Sequence, residues 1–115
     1  MSTNYVTSFQ VTIVSGASLS SAADLDGTLM SSIVFPSGWT GTTATFECSA
    51  DGTTYAAMRD STGGFITLAV SGLSFVIVDP SYFVGASYVK VRSGTPLSPV
   101  VQSGDRTIVI GAREL

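Results

Sequence analysis

Residues 39 to 58 read Trp-Thr-Gly-Thr-Thr-Ala-Thr-Phe-Glu-Cys-Ser-Ala-Asp-Gly-Thr-Thr-Tyr-Ala-Ala-Met, and this stretch decides the fold. Ala44, Phe46 and Cys48 alternate with Thr43, Thr45 and Glu47, so an extended segment carries one apolar and one polar face. Asp51-Gly52 interrupts the alternation with a hairpin signal, because glycine enters positive φ without strain. Thr54 and Tyr55 restart an extended run. Trp39, the single tryptophan, follows Pro36-Ser37-Gly38 and is expected to plug one end of the core. A β-hairpin therefore stands at the middle of an all-β domain.

Working outward, the same punctuation recurs. Towards the N-terminus, Leu29 to Phe35 is a strand closed by Pro36, which has no N–H for a ladder. Ala22 to Leu25 is a short edge strand ended by Asp26-Gly27, and Phe9, Val11 and Ile13 define a first strand. Residues 1 to 8 carry no core pattern and are expected to form an N-terminal arm, leaving residues 9 to 115 as a single domain. Towards the C-terminus, Ile66, Leu68 and Val70 lie on one side of a strand from Phe65 to Val70. Leu73 to Val78 is almost continuously apolar and is expected to be buried on both faces. Asp79-Pro80 reads as the N-cap and first residue of a single helical turn. Tyr88, Lys90 and Arg92 alternate with Val89 and Val91 in the most regular strand. Ser93 to Gly104 is expected as a loop held extended by Pro96 and Pro99. Arg106 to Gly111 is the last strand, and Ala112 to Leu115 a tail. About eight strands at sandwich spacing predict an antiparallel β-sandwich wound as a jelly roll.

Composition narrows the function classes. Only 11% of the 115 residues are charged, against about 25% in an ordinary domain. Eighteen serines and fourteen threonines supply the polar surface. A surface so short of repelling charge suits a protein that packs against copies of itself or another protein. The net charge is −3, and Lys90 and the four arginines are scattered, so no basic stripe awaits phosphates and nucleic acid is not an expected partner. No apolar run approaches the ~20 residues of a membrane span, and the N-terminus lacks a signal-peptide pattern. Cys48, the single cysteine, is expected as a free, inward-facing thiol.

No catalytic constellation is present. The chain has no histidine, the commonest general base and metal ligand. Asp24 and Asp26 before Gly27 are too closely spaced for a calcium loop and read as a turn. The expectation is a protein without enzymatic activity, metal or cofactor. Trp39, Tyr55, Tyr82 and Tyr88 offer rings that stack on sugars, with Arg92 as a hydrogen-bonding neighbour. The competing reading makes Trp39 and most of the tyrosines packing residues.

Several segments together carry a resemblance: Asp24-Leu25-Asp26-Gly27, Ile33-Val34-Phe35-Pro36, Gly38-Trp39-Thr40, Thr45 through Tyr55, Tyr88-Val89-Lys90-Val91-Arg92-Ser93-Gly94-Thr95, and Gln102-Ser103-Gly104-Asp105-Arg106. In order and spacing, over about residues 9 to 112, they resemble small structural proteins of tailed-bacteriophage virions of the capsid decoration (cement) and head-fibre type. The resemblance implies a non-enzymatic virion protein, made in the host cytoplasm, that binds the major capsid protein on the outer head surface. It also implies self-association, expected as a homotrimer on threefold lattice positions. The arm supplies apolar anchors for the capsid in Tyr5 and Val6. The strand from Tyr88 to Arg92 is also similar to strands of discoidin-type and galactose-binding jelly rolls. That likeness implies the alternative of a carbohydrate-binding module contacting host surface glycans through Trp39, Tyr55, Tyr88 and Arg92.

Overall fold

In a computed structural model, which describes residues 6–114, the alternating segments form strands and the Gly, Pro and Asp clusters form turns. The strands are β1 (Val6–Ile13), β2 (Ala23–Asp24), β3 (Thr28–Phe35), β4 (Thr43–Ser49) and β5 (Ala56–Ala57). They continue with β6 (Leu68–Ala69), β7 (Ser74–Ile77), β8 (Tyr88–Thr95), β9 (Ser98–Pro99) and β10 (Arg106–Glu114). One sheet has the order β1-β10-β3-β7 and the other β2-β8-β4-β5, with β6 also on β4 and β9 on β8. All the pairings are antiparallel.

The pairs nest. β1 lies on β10, β2 on β8, β3 on β7, and β4 on β5 and β6. A long antiparallel hairpin rolled over on itself gives this arrangement, which is the jelly roll. β5 and β6 share one edge position, because both pair with β4, at Glu47–Cys48 and at Thr43–Ala44 respectively. The expected eight-strand sandwich is therefore present, with one position split in two and a small β8–β9 hairpin added.

Alternation decides the core. Val11, Ile13, Ile33, Phe35, Ile108 and Ile110 from the first sheet meet Ala44, Phe46, Val89 and Val91 from the second, all fully buried. Phe46 stands edge-on to Phe83 at 5.5 Å, and Phe35 edge-on to Trp39 at 5.0 Å, the geometry ring quadrupoles favour. Phe83 reaches the core from a 3-10 turn, Pro80–Phe83, capped by Asp79 as its sequence indicates.

Several expectations are corrected. Leu73 to Val78 is not doubly buried: β7 is the edge of its sheet, and only its even-numbered residues face inward. Residues 6 to 8, expected in the arm, belong to β1 and pair with Gly111, Ala112 and Arg113, and β10 runs on through Ala112 to Glu114, beyond the expected tail boundary. The loop expected over residues 93 to 104 instead continues β8 to Thr95 and returns as β9. Between Phe65 and Val70 only Leu68–Ala69 is strand.

The loops are closed by aspartates. Asp51 Oδ1 accepts hydrogen bonds from the amides of Thr53 (2.8 Å) and Thr54 (2.9 Å), and Asp60 Oδ1 from the Thr62 hydroxyl (2.6 Å) and the Thr62 and Gly64 amides. Asp79 Oδ1 accepts from the Ser81 amide and hydroxyl. Asp24 Oδ1 accepts from the Asp26 amide (3.0 Å), so this acidic pair forms a turn.

The bonds to Asp51, Asp60 and Asp79 stabilise their anions and hold these three carboxyls below their ordinary 3.8: the Thr54 amide foremost for Asp51, the Thr62 hydroxyl for Asp60 and the Ser81 amide for Asp79. A carboxyl depressed on folding contributes stability above its unfolded value and loses it as pH falls through the folded value. The melting temperature is therefore expected to be insensitive to these groups above about pH 5 and to drop below 3.8. Differential scanning calorimetry of the combined Asp51→Asn, Asp60→Asn, Asp79→Asn variant should show a shallower acid limb.

One buried polar side chain ties the loops together. Gln102 is fully buried. Its Nε2 donates to Thr40 O (2.8 Å) and Ser93 Oγ (2.6 Å), and its Oε1 accepts from Thr40 N (2.9 Å) and Arg106 Nε (3.1 Å). Its backbone bonds Ala17 and Gly16. Gln102→Leu keeps the volume and strands several buried partners, so it is expected to cost about 3 kcal/mol, read as a lower midpoint in urea unfolding.

Candidate functional site

The two sheets present very different outer faces, and the difference follows from register. On the first sheet, Phe75 pairs with Val34, Val34 with Val109 and Val109 with Gln10. The next outward row runs Ile77, Ser32, Gly111, Ser8. Neither row holds a charge. Phe75 is 66% exposed and Ile77 74%, with Leu73 equally uncovered just before β7. Gly111 lets β10 pass flat under Ser32 and Val6, since a Cβ there would collide with Ser32 Oγ.

Around the β7 edge this apolar ground continues into a groove of about 250 Å3 lined by Phe65, Leu68, Ile77 and Tyr82. A large apolar area left in water is a mark of an interaction surface, not of ordinary exterior. It escaped the sequence reading because an apolar run looks the same whether its strand is central or at an edge. The flanking Gly72 and Asp79-Pro80 bound the strand but carry no information on its neighbours.

The second sheet is polar outside. Glu47 pairs with Lys90, Thr45 with Arg92, and Ser49 with Tyr88. Arg92 makes an ion pair with Glu47, and Lys90 Nζ lies 4.3 Å from the centre of the Tyr55 ring. The structure thus brings Tyr55, Tyr88 and Arg92 to one face, already engaged with one another's neighbours. Trp39 is elsewhere: it is 8% exposed, packed on Phe35, and offers no ring to a ligand. Val6 is half-exposed at the start of β1, and Tyr5 lies outside the described residues.

A second hollow, about 260 Å3, is bordered by Cys48, Ala56, Met58 and Tyr82. Burial pushes the Cys48 thiol up to about 11, so it stays protonated at neutral pH and is a poor nucleophile. Among the described residues, no three His, Cys, Asp or Glu side chains come together as a metal site.

Neither a protein-family model nor a curated protein matches the chain. Among solved structures, the crystal structure of the Yersinia pseudotuberculosis-derived mitogen (YPM) is similar at 11% identity, covering 98% of this chain and 88% of that one with a TM-score of 0.41.

Tyr88 owes its position to Gly52. That glycine has φ +81°, and a Cβ on it would stand 2.8 Å from Tyr88 Cε1. Gly52→Ala is expected to cost roughly 2 kcal/mol from backbone strain and ring displacement. Adding Tyr88→Ala should return the steric part alone, and a double-mutant cycle by chemical denaturation reads the split.

Proposed function

We propose that this chain is a non-enzymatic structural protein of a tailed-phage virion, a capsid decoration protein that binds the major capsid protein on the outer head surface. The observation that carries the reading is the uncovered outer face of the β1-β10-β3-β7 sheet, whose rows through Phe75 and Ile77 hold no charge and leave Leu73, Phe75 and Ile77 in water. A face of this kind is satisfied by another protein surface, and desolvating its Ser, Gln and Thr side chains costs far less than desolvating charges.

The segments that carry the phage resemblance include β2 and its turn, the end of β3, β4 with its Asp51 loop, and β8. In this reading the domain self-associates as a homotrimer. Its N-terminal segment, with Tyr5 and Val6, adds contact with the shell.

The glycan reading draws on Tyr55, Tyr88 and Arg92 sharing one sheet face, but it loses Trp39 to the core and finds Arg92 held by Glu47. It therefore has less support.

Capsids assembled without the protein provide the test. The purified chain is expected to co-sediment with them at a saturating, fixed ratio and to raise the temperature at which the shell ruptures. Deleting residues 1 to 5, which leaves β1 whole, should weaken attachment while preserving the melting temperature of the free domain. A chain that stays in the supernatant at saturation would end the proposal.

A further inference from the structure

We infer that the free edge of β7 receives an extended, uncharged peptide segment of a partner protein, which adds a further strand to the β1-β10-β3-β7 sheet and lays alternate side chains into the groove beside it. The inference stands apart from the capsid reading, since it requires only a partner with such a segment.

The backbone names the occupant. Val78 N donates to Ser31 O at 3.0 Å. Val76 and Ser74 likewise face β3, because an antiparallel ladder alternates its bonded pairs. The N–H and C=O groups of Phe75 and Ile77 therefore point the other way. Among the described residues β7 has no neighbour on that side, and the backbone of neither residue bonds anything there. Two donors and two acceptors in a row, alternating in partial charge, are the complement of another extended backbone.

The other sheet edges are blunted. In the second sheet β2, β5 and β6 are two residues long each, and past β5 the chain doubles back, with the Ile66 amide on Met58 O. At the far side of the first sheet, Ser21 bonds both the amide and the carbonyl of Thr12 on β1. Thr7, Ser8 and Gln10 are the exposed side chains along that strand. By contrast, β7 keeps unbroken register with β3 over four residues and holds no charge, proline or bulge, the devices by which an edge refuses a further strand.

The groove supplies the rest of the fit. An added strand lies about 4.8 Å from β7, which sets it against the hollow lined by Phe65, Leu68, Ile77 and Tyr82. Side chains alternate across a strand, so every second one enters the groove and the others lie beside Phe75 and Ile77. The one charge in the groove lining, Asp79, is already turned to the Ser81 amide and hydroxyl. A charged side chain entering there would lose water without gaining a partner, so the segment is uncharged.

Amide hydrogen exchange on the full chain provides the first test. Phe75 and Ile77 are expected to exchange about tenfold or more faster than Val76 and Val78, their neighbours on the same strand. The probe for binding is a set of capped peptides of about seven residues in which threonine alternates with valine, isoleucine, leucine or phenylalanine. Members of the set are expected to bind and to slow exchange at Phe75 and Ile77, while Val76 and Val78 stay as they were. Replacing Ile77 by its α-hydroxy acid counterpart deletes the outward N–H and keeps the side chain, and should weaken peptide binding about fivefold. The same replacement at Val76 removes a bond to β3 and should lower the melting temperature more.

The inference falls if no peptide of the set binds. It falls equally if peptides bind while Phe75 and Ile77 exchange as before, since the groove then takes side chains without a strand. Slow exchange of Phe75 and Ile77 in the free chain would overturn it too, and a slowing that grows with protein concentration would assign the edge to a second copy. Each of these outcomes leaves co-sedimentation with capsids, the test of the proposed function, untouched.

Discussion

The buried amide of Gln102 is the interaction on which the loop end of the sandwich depends. Its side chain and backbone together hold Thr40, Ser93, Arg106, Gly16 and Ala17, which come from four separated parts of the chain. A buried amide left half-bonded would be worse than a leucine in the same place, so the surrounding loops must arrive in one arrangement. The reward is specificity: apolar packing between two sheets tolerates sliding, whereas an amide with every hydrogen bond made does not. Trp39 follows from this. It sits immediately before Thr40, and pinning Thr40 to both ends of the Gln102 amide sets the indole against Phe35.

The outer surface obeys a second constraint, the scarcity of charge. Aspartates are spent on closing turns at Asp24, Asp51, Asp60 and Asp79, and the remaining strand charge divides between Glu47, Lys90 and Arg92 on one sheet and the two ends of β10 on the other. The rows through Phe75 and Ile77 receive none of it. Charge distribution, more than any single residue, distinguishes the two outer faces.

Much of the architecture is legible in the sequence because period-two alternation is a local property. Leu29 to Phe35, Tyr88 to Arg92 and the Asp79-Pro80 cap announce themselves through neighbours one to three residues away. The sandwich and its central Thr43–Ser49 strand follow. What alternation does not encode is strand order. For Leu73 to Val78, parity separates Val76 from Phe75 and Ile77 correctly, yet nothing local says that no strand or sheet covers the odd side. Gln102 is invisible for the same reason: its side-chain partners lie up to 62 residues away in sequence. Of the residues singled out for sugars, Tyr88 and Arg92 share a face by simple parity, and Tyr55 joins them only through the return of the Asp51 loop. Trp39 is withdrawn from them into the core, against Phe35. The surface that matters most was thus recorded in the sequence as apolar residues and became a site only through position in the sheet.

The place of β10 has a consequence for synthesis. It lies between β1 and β3, yet it leaves the ribosome after the nine other described strands. Until it arrives, the first sheet has a gap at its centre, and the nascent chain presents the facing margins of β1 and β3 with unmade ladder bonds. Pairings of such long sequence separation form late and slowly. A chain stalled or cleaved before Arg106 would therefore hold two sticky margins in place of one closed sheet. Closure of the first sheet accordingly waits on Arg106–Glu114.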